Sequence, residues 1–563
     1  MKSWLEKLNH YVPLRYSVWF LCAVALAVSL SLPLMMPMSS AWAWVLPLSF
    51  GGLVLLGLRD TRQGTHSVLR NYPVVGHLRY LAEFIRPEIR QYFIEGDNEA
   101  APFSRQQRSL VYQRAKGAPD KRPFGTQKDV SAQGYEWINH SLQPTTLPTH
   151  DFRVVIGAGH ADPAHPSTDR GTPCTQPYSA SVFNISAMSF GALSANAILS
   201  LNAGAKRGGF AHDTGEGSIS RHHRGPDPEG GGDLIWEIGS GYFGCRHPDG
   251  SFDPDLFTAN ASLAQVKMIE IKLSQGAKPG HGGVLPGPKV TLEIAEARGV
   301  PPWVDCVSPA SHSAFTTPIE MMQFIDRLRS LSGGKPVGFK LCIGHPWEWF
   351  AIAKAMLVTG ITPDFIVVDG GEGGTGAAPL EFTDHVGAPL QEGLLLVHNT
   401  LVGLNLRHRI KIGCAGKVVS AFDIARNMAL GADWCNSARG FMFALGCIQA
   451  QACHTGDCPT GVSTQDPHRQ KALVVTTKAD RVFNFHQSTL KALQELVQAA
   501  GLNHPGAITA AHIVRRTNDH EVKLLSNLLP FIKPGSLLAG DLPHSVYRLY
   551  WPMAQAESFA VAM

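Results

Sequence analysis

Three of the chain's ten cysteines fall within a dozen residues, at Cys447, Cys453 and Cys458, with five and four residues between them and Pro459 following. The other seven are scattered singly. A disulfide would use two of the three and strand one. A structural zinc site takes four ligands, usually in two close pairs. Three close thiolates and a proline look more like an iron–sulfur cradle.

A second set of residues suits a phosphate-bearing ligand. "DGGEGGTGAAP" (369–379) follows an apolar run, and its glycines Gly371, Gly373, Gly374 and Gly376, around Thr375, would let the backbone approach a planar ring or a phosphate closely. Such a stretch is also what a plain loop looks like. "CAGK" (414–417) and "SARG" (437–440) end two later apolar runs, where Gly416 and Ala438 offer backbone amides and Lys417 and Arg439 add charge. Together the three loops favour a phosphate-bearing cofactor. Lys340, in "GFKLC", is a cation inside an apolar run. It reads either as a salt-bridged lysine at a barrel end or as a cation facing the flavin edge that gains negative charge on reduction. "HDTGEGSISRHH" (212–223) gathers His, Asp and Glu at a spacing that fits no standard metal motif, and its Glu216 is either exposed or at a turn. Lys272, Lys278 and Lys289, with Arg298 beyond, form either an anion-binding loop or a solvated basic one.

The elements that must position these residues begin at Ser181. Short apolar runs end in glycine or small polar residues and alternate with helical stretches such as "PWEWFAIAKAMLVTG" and "AFDIARNMALG". Continuous apolar runs are strands buried on both faces, and strand–helix alternation gives a parallel sheet. The expected fold is α/β, a (β/α)8 TIM barrel over 181–465. Nine runs compete for eight places, with "VDCVSP" or "LIWEIGSG" as the excursion. The segment 61–180 is expected to be an extension packing on the barrel, with helical periodicity broken at Pro87 and a solvated basic connector at 104–125. Residues 466–563 read as helices and an irregular tail.

From Tyr16 to Leu58 there is no Asp, Glu, Lys, Arg or His. About 20 apolar residues cross a bilayer core, so this stretch can cross twice, turning at "MMPMSS" (35–40). Residues 1–60 are therefore expected to form a membrane hairpin of two helices. Lys2, Lys7 and Arg15 flank one end and Arg59, Arg62 and Arg70 the other, which puts both ends, and the domain that follows, in the cytoplasm. The competing reading is a signal peptide cleaved after "AWA" (41–43). The net charge of +4 is small for 563 residues and does not argue for nucleic acid.

In combination, "SAMSFGALS", "DTGEGSIS", "QGAKPGHGGVLPG", "GFKL", "DGGEGGTGAAP" and "CIQAQACHTGDCPTGVSTQDP" resemble the FMN-binding synthase domain of glutamate synthase, in its stand-alone form, in the family's order over about 75–470. The resemblance implies a [3Fe-4S] cluster on Cys447, Cys453 and Cys458. It implies FMN around Met188, Ser189 and Gly191, Lys340, Gly371 to Gly376, Gly416, Lys417, Ala438 and Arg439. The implied reaction is reduction of 2-iminoglutarate, formed from 2-oxoglutarate and ammonia, to glutamate. Lys278 and Arg298 would hold the oxo-acid carboxylates, and Glu216 would stand by the electron-entry and ammonia path. Lys340 and Glu216 are the candidate catalytic pair.

The chain departs from that pattern where the family reads "GEGGQLPG": His281 and Val284 replace a glutamate and a substrate-contacting glutamine. These changes raise a second expectation, that the substrate is another 2-oxo or imino acid or that the product is an N-substituted glutamate. No amidotransferase or nicotinamide-binding domain is expected. Ammonia would come free or from a partner, and electrons from ferredoxin or a separate reductase. A third expectation is a non-enzymatic, membrane-anchored redox protein.

Overall fold

A computed structural model of the chain describes residues 14–31, 41–99, 101–161, 170–225 and 231–561. It divides into two compact units, Met1–Pro102 and Phe103–Met563.

In the first unit, the apolar helix Ser17–Ser29 packs against Val45–Arg62. Trp19 donates its indole N–H to the Val54 carbonyl (3.0 Å), and a Cβ at Gly57 would sit 2.2 Å from the Trp19 ring. The absence of a side chain at Gly57 is thus what lets the two helices touch. The stretch Ala41–Arg62 is long and apolar enough to cross a membrane, whereas Ser17–Ser29 is shorter than a full span. The expected turn at 35–40 and the flanking Lys2 and Lys7 lie outside the described residues. The helix Gly76–Ile89 runs through Pro87 instead of breaking there, then widens into a π-type turn, Arg90–Ile94. The proline lies in the helix's last turn, so its missing N–H costs a single bond near an end that already changes register.

The second unit is built on a closed parallel barrel of eight strands. They are β1 Phe183–Ile185, β2 His212–Asp213, β3 Leu234–Ile238, β4 Val266–Lys272, β5 Val337–Leu341, β6 Phe365–Asp369, β7 Lys411–Ala415 and β8 Trp434–Ser437. "LIWEIGSG" is therefore a barrel strand. "VDCVSP" is the excursion: Cys306–Val307 pairs antiparallel with Val284–Leu285 outside the barrel. Inward residues Ala211, Ile235, Met268, Phe365, Val367 and Trp434 form the lower barrel core. Ile156, Tyr178 and Ala180, from the antiparallel pair Arg153–Ile156 and Tyr178–Ser181, close it from the amino-terminal end.

The segment expected to be a solvated connector forms the helix Arg105–Ala115, with a capping box between Ser104 and Gln107. Its Arg108, Val111, Arg114 and Ala115 are buried. The Arg114 guanidinium meets Asp120 (3.0 Å) and Thr489 (3.4 Å), so its polar tip is satisfied while its stem packs. The carboxyl-terminal region is also more ordered than an irregular tail. Ile513–Arg516 pairs antiparallel with both Glu136–Ile138 and Val522–Leu524. The long helix Val475–Ala499 packs along Ala195–Gly208.

Candidate functional site at the barrel mouth

The loops after β1, β2, β4, β6, β7 and β8 open at the carboxyl end of the barrel, where barrel chemistry sits. Beneath them lies a polar layer carried by inward positions of four strands. Lys340 of β5 makes an ion pair with Glu237 of β3 and a second, at 3.5 Å, with Glu270 of β4. Asp213, Glu237 and Glu270 place carboxylate oxygens within 4.8 Å of one another, and all three residues are buried. One lysine cannot balance three such acids. Burial, and then the Glu237 charge, push Asp213 up to about 7. Burial, and then Asp213, push Glu270 well above its ordinary range. Burial acts to lower Lys340, but Glu237 and Glu270 raise it more, so it stays protonated. The ion-paired setting considered for Lys340 is thus present, but with partners deep in the barrel. Asp213 stands in the "HDTGEGSISRHH" cluster read from sequence, but Glu237 and Glu270 were not singled out. The available signal was one acid at an inward position in each of "AHD", "LIWEI" and "KMIEI".

Above this layer the residues expected to bind substrate converge. Glu216, half-buried on the loop after β2, meets Lys272 at 2.8 Å. Burial would raise its carboxyl, but Lys272, Lys278 and Arg298 hold it down at about 2. Lys278 is buried, with its ammonium 3.4 Å from the Gly282 carbonyl. Arg298 is also buried, its guanidinium 3.4 Å from the Phe190 carbonyl and 5.1 Å from the Phe243 ring centre. Its Nε has no hydrogen-bond partner. A Cβ on Gly191 or Gly217 would lie within 3.4 Å of Arg298 Nη2, so both glycines border the same space. Lys289 does not join this group. Its ammonium donates to the His454 carbonyl (2.7 Å), beside Cys453. His281 is exposed, with its ring against Phe382, and the Val284 side chain is 45% exposed.

The glycine loop after β6 turns tightly, with Gly371 N–H on the Ala388 carbonyl and Gly373 N–H on Gly370 (2.8 and 3.0 Å). Thr375 follows, partly exposed. Gly374 faces the guanidinium of Arg439, the first residue of the helix Arg439–Leu445, of which Ala438 is the N-cap. Gly416 packs on Leu390 and Glu372, and the exposed Lys417 takes a left-handed backbone (φ 52°). Met188 and Ser189 lie under Gly215 of the loop after β2, with no room there for a side chain.

The cysteine loop joins this mouth from the side. A Cβ on Gly376 would lie 3.1 Å from Cys453 Cβ, so the glycine loop and the cysteine loop touch. The segment after Cys458 is stitched to the loop after β1. Ser194 donates to the Gly461 carbonyl (2.7 Å), Ser463 to Ala192 (2.8 Å), and Gln465 to Gly191 and Leu193 (3.1 Å each). Behind the loop, Tyr112 donates its hydroxyl to the Cys447 carbonyl (2.6 Å). Burial pushes the Cys447 thiol up to about 11, and the charges of nearby Cys453 and Cys458 push the same way. Cys458 moves down. Burial opposes this, but the Thr460 hydroxyl and the amides of Ser463, Thr460 and Val462 donate to its sulfur. Such a nest of N–H donors suits a thiolate. Among the described residues, the three cysteines do not form a set with all sulfurs within 4.8 Å. A single tetrahedral ion with Zn–S of about 2.3 Å needs sulfurs about 3.8 Å apart, closer than these three lie together.

Residues 171–503 match the family model described as the conserved region in glutamate synthase. The chain belongs to the glutamate synthase family. It is 39% identical over 499 residues to the glutamate synthase large subunit-like protein YerD of Bacillus subtilis, covering 84% of this chain and 94% of that one. It is 35% identical over 343 residues to the archaeal-type NADPH glutamate synthase of Thermotoga neapolitana, covering 60% of this chain and 64% of that one. Among solved structures, a flavocytochrome b2 with pyruvate bound aligns at a TM-score of 0.40 and 11% identity, covering 84% of this chain and 92% of that one. That likeness is too loose to add to the assignment.

Proposed function

We propose that this glutamate synthase-family protein is an oxidoreductase that holds FMN and a [3Fe-4S] cluster and reduces 2-iminoglutarate, formed from 2-oxoglutarate and ammonia, to glutamate. The observation that carries this reading is the meeting of three loop systems at one barrel mouth. The glycine loop touches Cys453 at Gly376, and the cationic cluster of Lys272, Lys278 and Arg298 lies on the same mouth.

Cys447, Cys453 and Cys458 would hold the cluster, and the amides and hydroxyl around the Cys458 sulfur shift it toward the thiolate that a metal needs. Met188 to Gly191, Gly371 to Gly376, Gly416, Lys417, Ala438 and Arg439 would hold FMN, with Lys340 below. When bound, FMN supplies the hydride and the cluster supplies electrons one at a time. The residues of the chain do the rest. Arg298, with one N–H unpartnered, and Lys278 attract and orient the carboxylates of an oxo acid. Glu216, kept ionised by Lys272, offers an acceptor for ammonium beside them. Asp213 and Glu270, in the layer around Lys340, are pushed toward their protonated forms and could store a proton beneath the mouth.

The electron donor in this reading is a ferredoxin or a separate reductase. The helix Ala41–Arg62, paired with Ser17–Ser29, would tether the chain to a bilayer with the barrel on the cytoplasmic side.

The test uses anaerobically purified full-length protein. The expected result is flavin absorbance, cluster iron and an EPR signal, and fast flavin reoxidation when 2-oxoglutarate and ammonium are added to the reduced protein. Cys458→Ala should lose the iron and keep the flavin. Folded wild type that binds neither group on reconstitution refutes the proposal. Val284 supports a second reading, in which another oxo or imino acid is reduced, because no polar side chain is offered there. Under that reading, 2-oxoglutarate fails to reoxidise wild type and Val284→Gln gains the activity.

A further inference from the structure

The helix Gly76–Ile89 carries an apolar face that none of the described residues fully covers. Leu78, Leu81, Ile85 and Ile89 share one side at helical spacing and are 63, 55, 39 and 41% exposed. Phe93, on the π-type turn that follows, is 85% exposed. Arg79, Glu83, Arg86 and Arg90 lie on the opposite side, with Arg79 and Glu83 paired at 2.9 Å. A soluble helix with this division buries its apolar stripe in a core. This one leaves it in the open.

The root of the helix indicates what covers it. Asp60, in the last turn of Val45–Arg62, is buried and accepts hydrogen bonds from the Val74 amide and from His77 Nε2, each at 3.0 Å. His77 lies in the first turn of Gly76–Ile89. The amphipathic helix therefore starts against the end of the segment long and apolar enough to span a bilayer, which is where a membrane surface would be. The charge agrees: between positions 59 and 90 there are six arginines against three acidic residues, which complements anionic headgroups.

We infer that residues 76–94 form an interfacial helix, lying along an anionic bilayer with Leu78, Leu81, Ile85, Ile89 and Phe93 at the acyl boundary and Arg79, Arg86 and Arg90 toward the headgroups. This inference rests on the proposed tether through Ala41–Arg62 and is independent of the reaction at the barrel.

The test is photo-crosslinking of the full chain in vesicles of phosphatidylethanolamine and phosphatidylglycerol. p-Benzoylphenylalanine is placed singly at Leu81, Ile85, Arg79 or Glu83, and at Leu48 within the tether helix. Lipid adducts, read by mass spectrometry, are expected at Leu48, Leu81 and Ile85, with roughly tenfold fewer at Arg79 and Glu83, as one-sided burial requires. Adducts at Leu48 but not at Ile85 overturn the interfacial helix and leave the tether standing. Equal adducts on both faces overturn it as well, because the helix would then be immersed or unspecific. No adduct at any position overturns tether and inference together.

Discussion

Replacing Asp213 by Asn should make the protein less sensitive to pH. Asp213 is 1% exposed, accepts the Gly215 amide on Oδ1 (3.0 Å), and leaves Oδ2 without a partner beside Glu237 and Glu270. Burial and the Glu237 charge raise it from 3.8 to about 7 in the folded chain. Between those values the folded state holds a proton that the unfolded state has released, so stability falls as pH rises across the window and is level above it. About three pH units at about 1.36 kcal/mol each give a cost on the order of 4 kcal/mol by pH 8. Asn keeps the bond from Gly215 and cannot ionise. Variant and wild type should therefore agree near pH 4 and separate, in the variant's favour, by pH 8. The unit Phe103–Met563 has roughly 460 residues. At about 2.1 cal/mol/K per residue, the unfolding entropy is about 1 kcal/mol/K, so the gain amounts to about 4 °C in Tm. Thermal melts at pH 5 and pH 8, with flavin content matched, read it directly. An equal difference at both pH values, or a more stable wild type at pH 8, would falsify the assignment of the proton to Asp213.

Two further substitutions probe the frame around the site. Lys340→Met strands Glu237 and Glu270 without their cation and should cost on the order of 3–5 kcal/mol at pH 8. The loss should shrink toward pH 5, as Glu270 takes up its proton, when followed by denaturant unfolding at both pH values. Tyr112→Phe removes the 2.6 Å bond to the Cys447 carbonyl and should cost about 1–1.5 kcal/mol. In the proposed flavin- and cluster-loaded protein, the expected readout is faster loss of iron in air with flavin content unchanged.

The barrel was legible because both-face burial writes itself as unbroken apolar runs, as in "DFIVV" and "IKIGC". "VDCVSP" looks the same locally, and only its pairing with Val284–Leu285 removes it from the barrel. The helix Arg105–Ala115 was misread because its buried positions include Arg108 and Arg114, and arginine in a polar stretch signals solvent. One partner that satisfies Arg114, Thr489, is 375 residues away. The same limit applies to the site. Spacing brought out the three cysteines and the glycine loop one by one. The contact between Gly376 and Cys453, and the stitching of 461–465 to 191–194, are tertiary facts with no local trace. Lys289 shows the converse error: it is close in sequence to Lys278 but faces the cysteine loop.

The strand pair that closes the amino-terminal end makes the barrel a vessel with a stopper. Tyr178, Ala180 and Ile156 fill the floor against Trp434 and Phe365, so nothing dissolved passes through from below. Whatever the mouth admits must leave by the same door, and a spent molecule has to clear it before a fresh one arrives. In the proposed reaction electrons alone would be exempt, because the cysteine loop touches the glycine loop at Gly376 and charge would enter there sideways while the doorway is occupied.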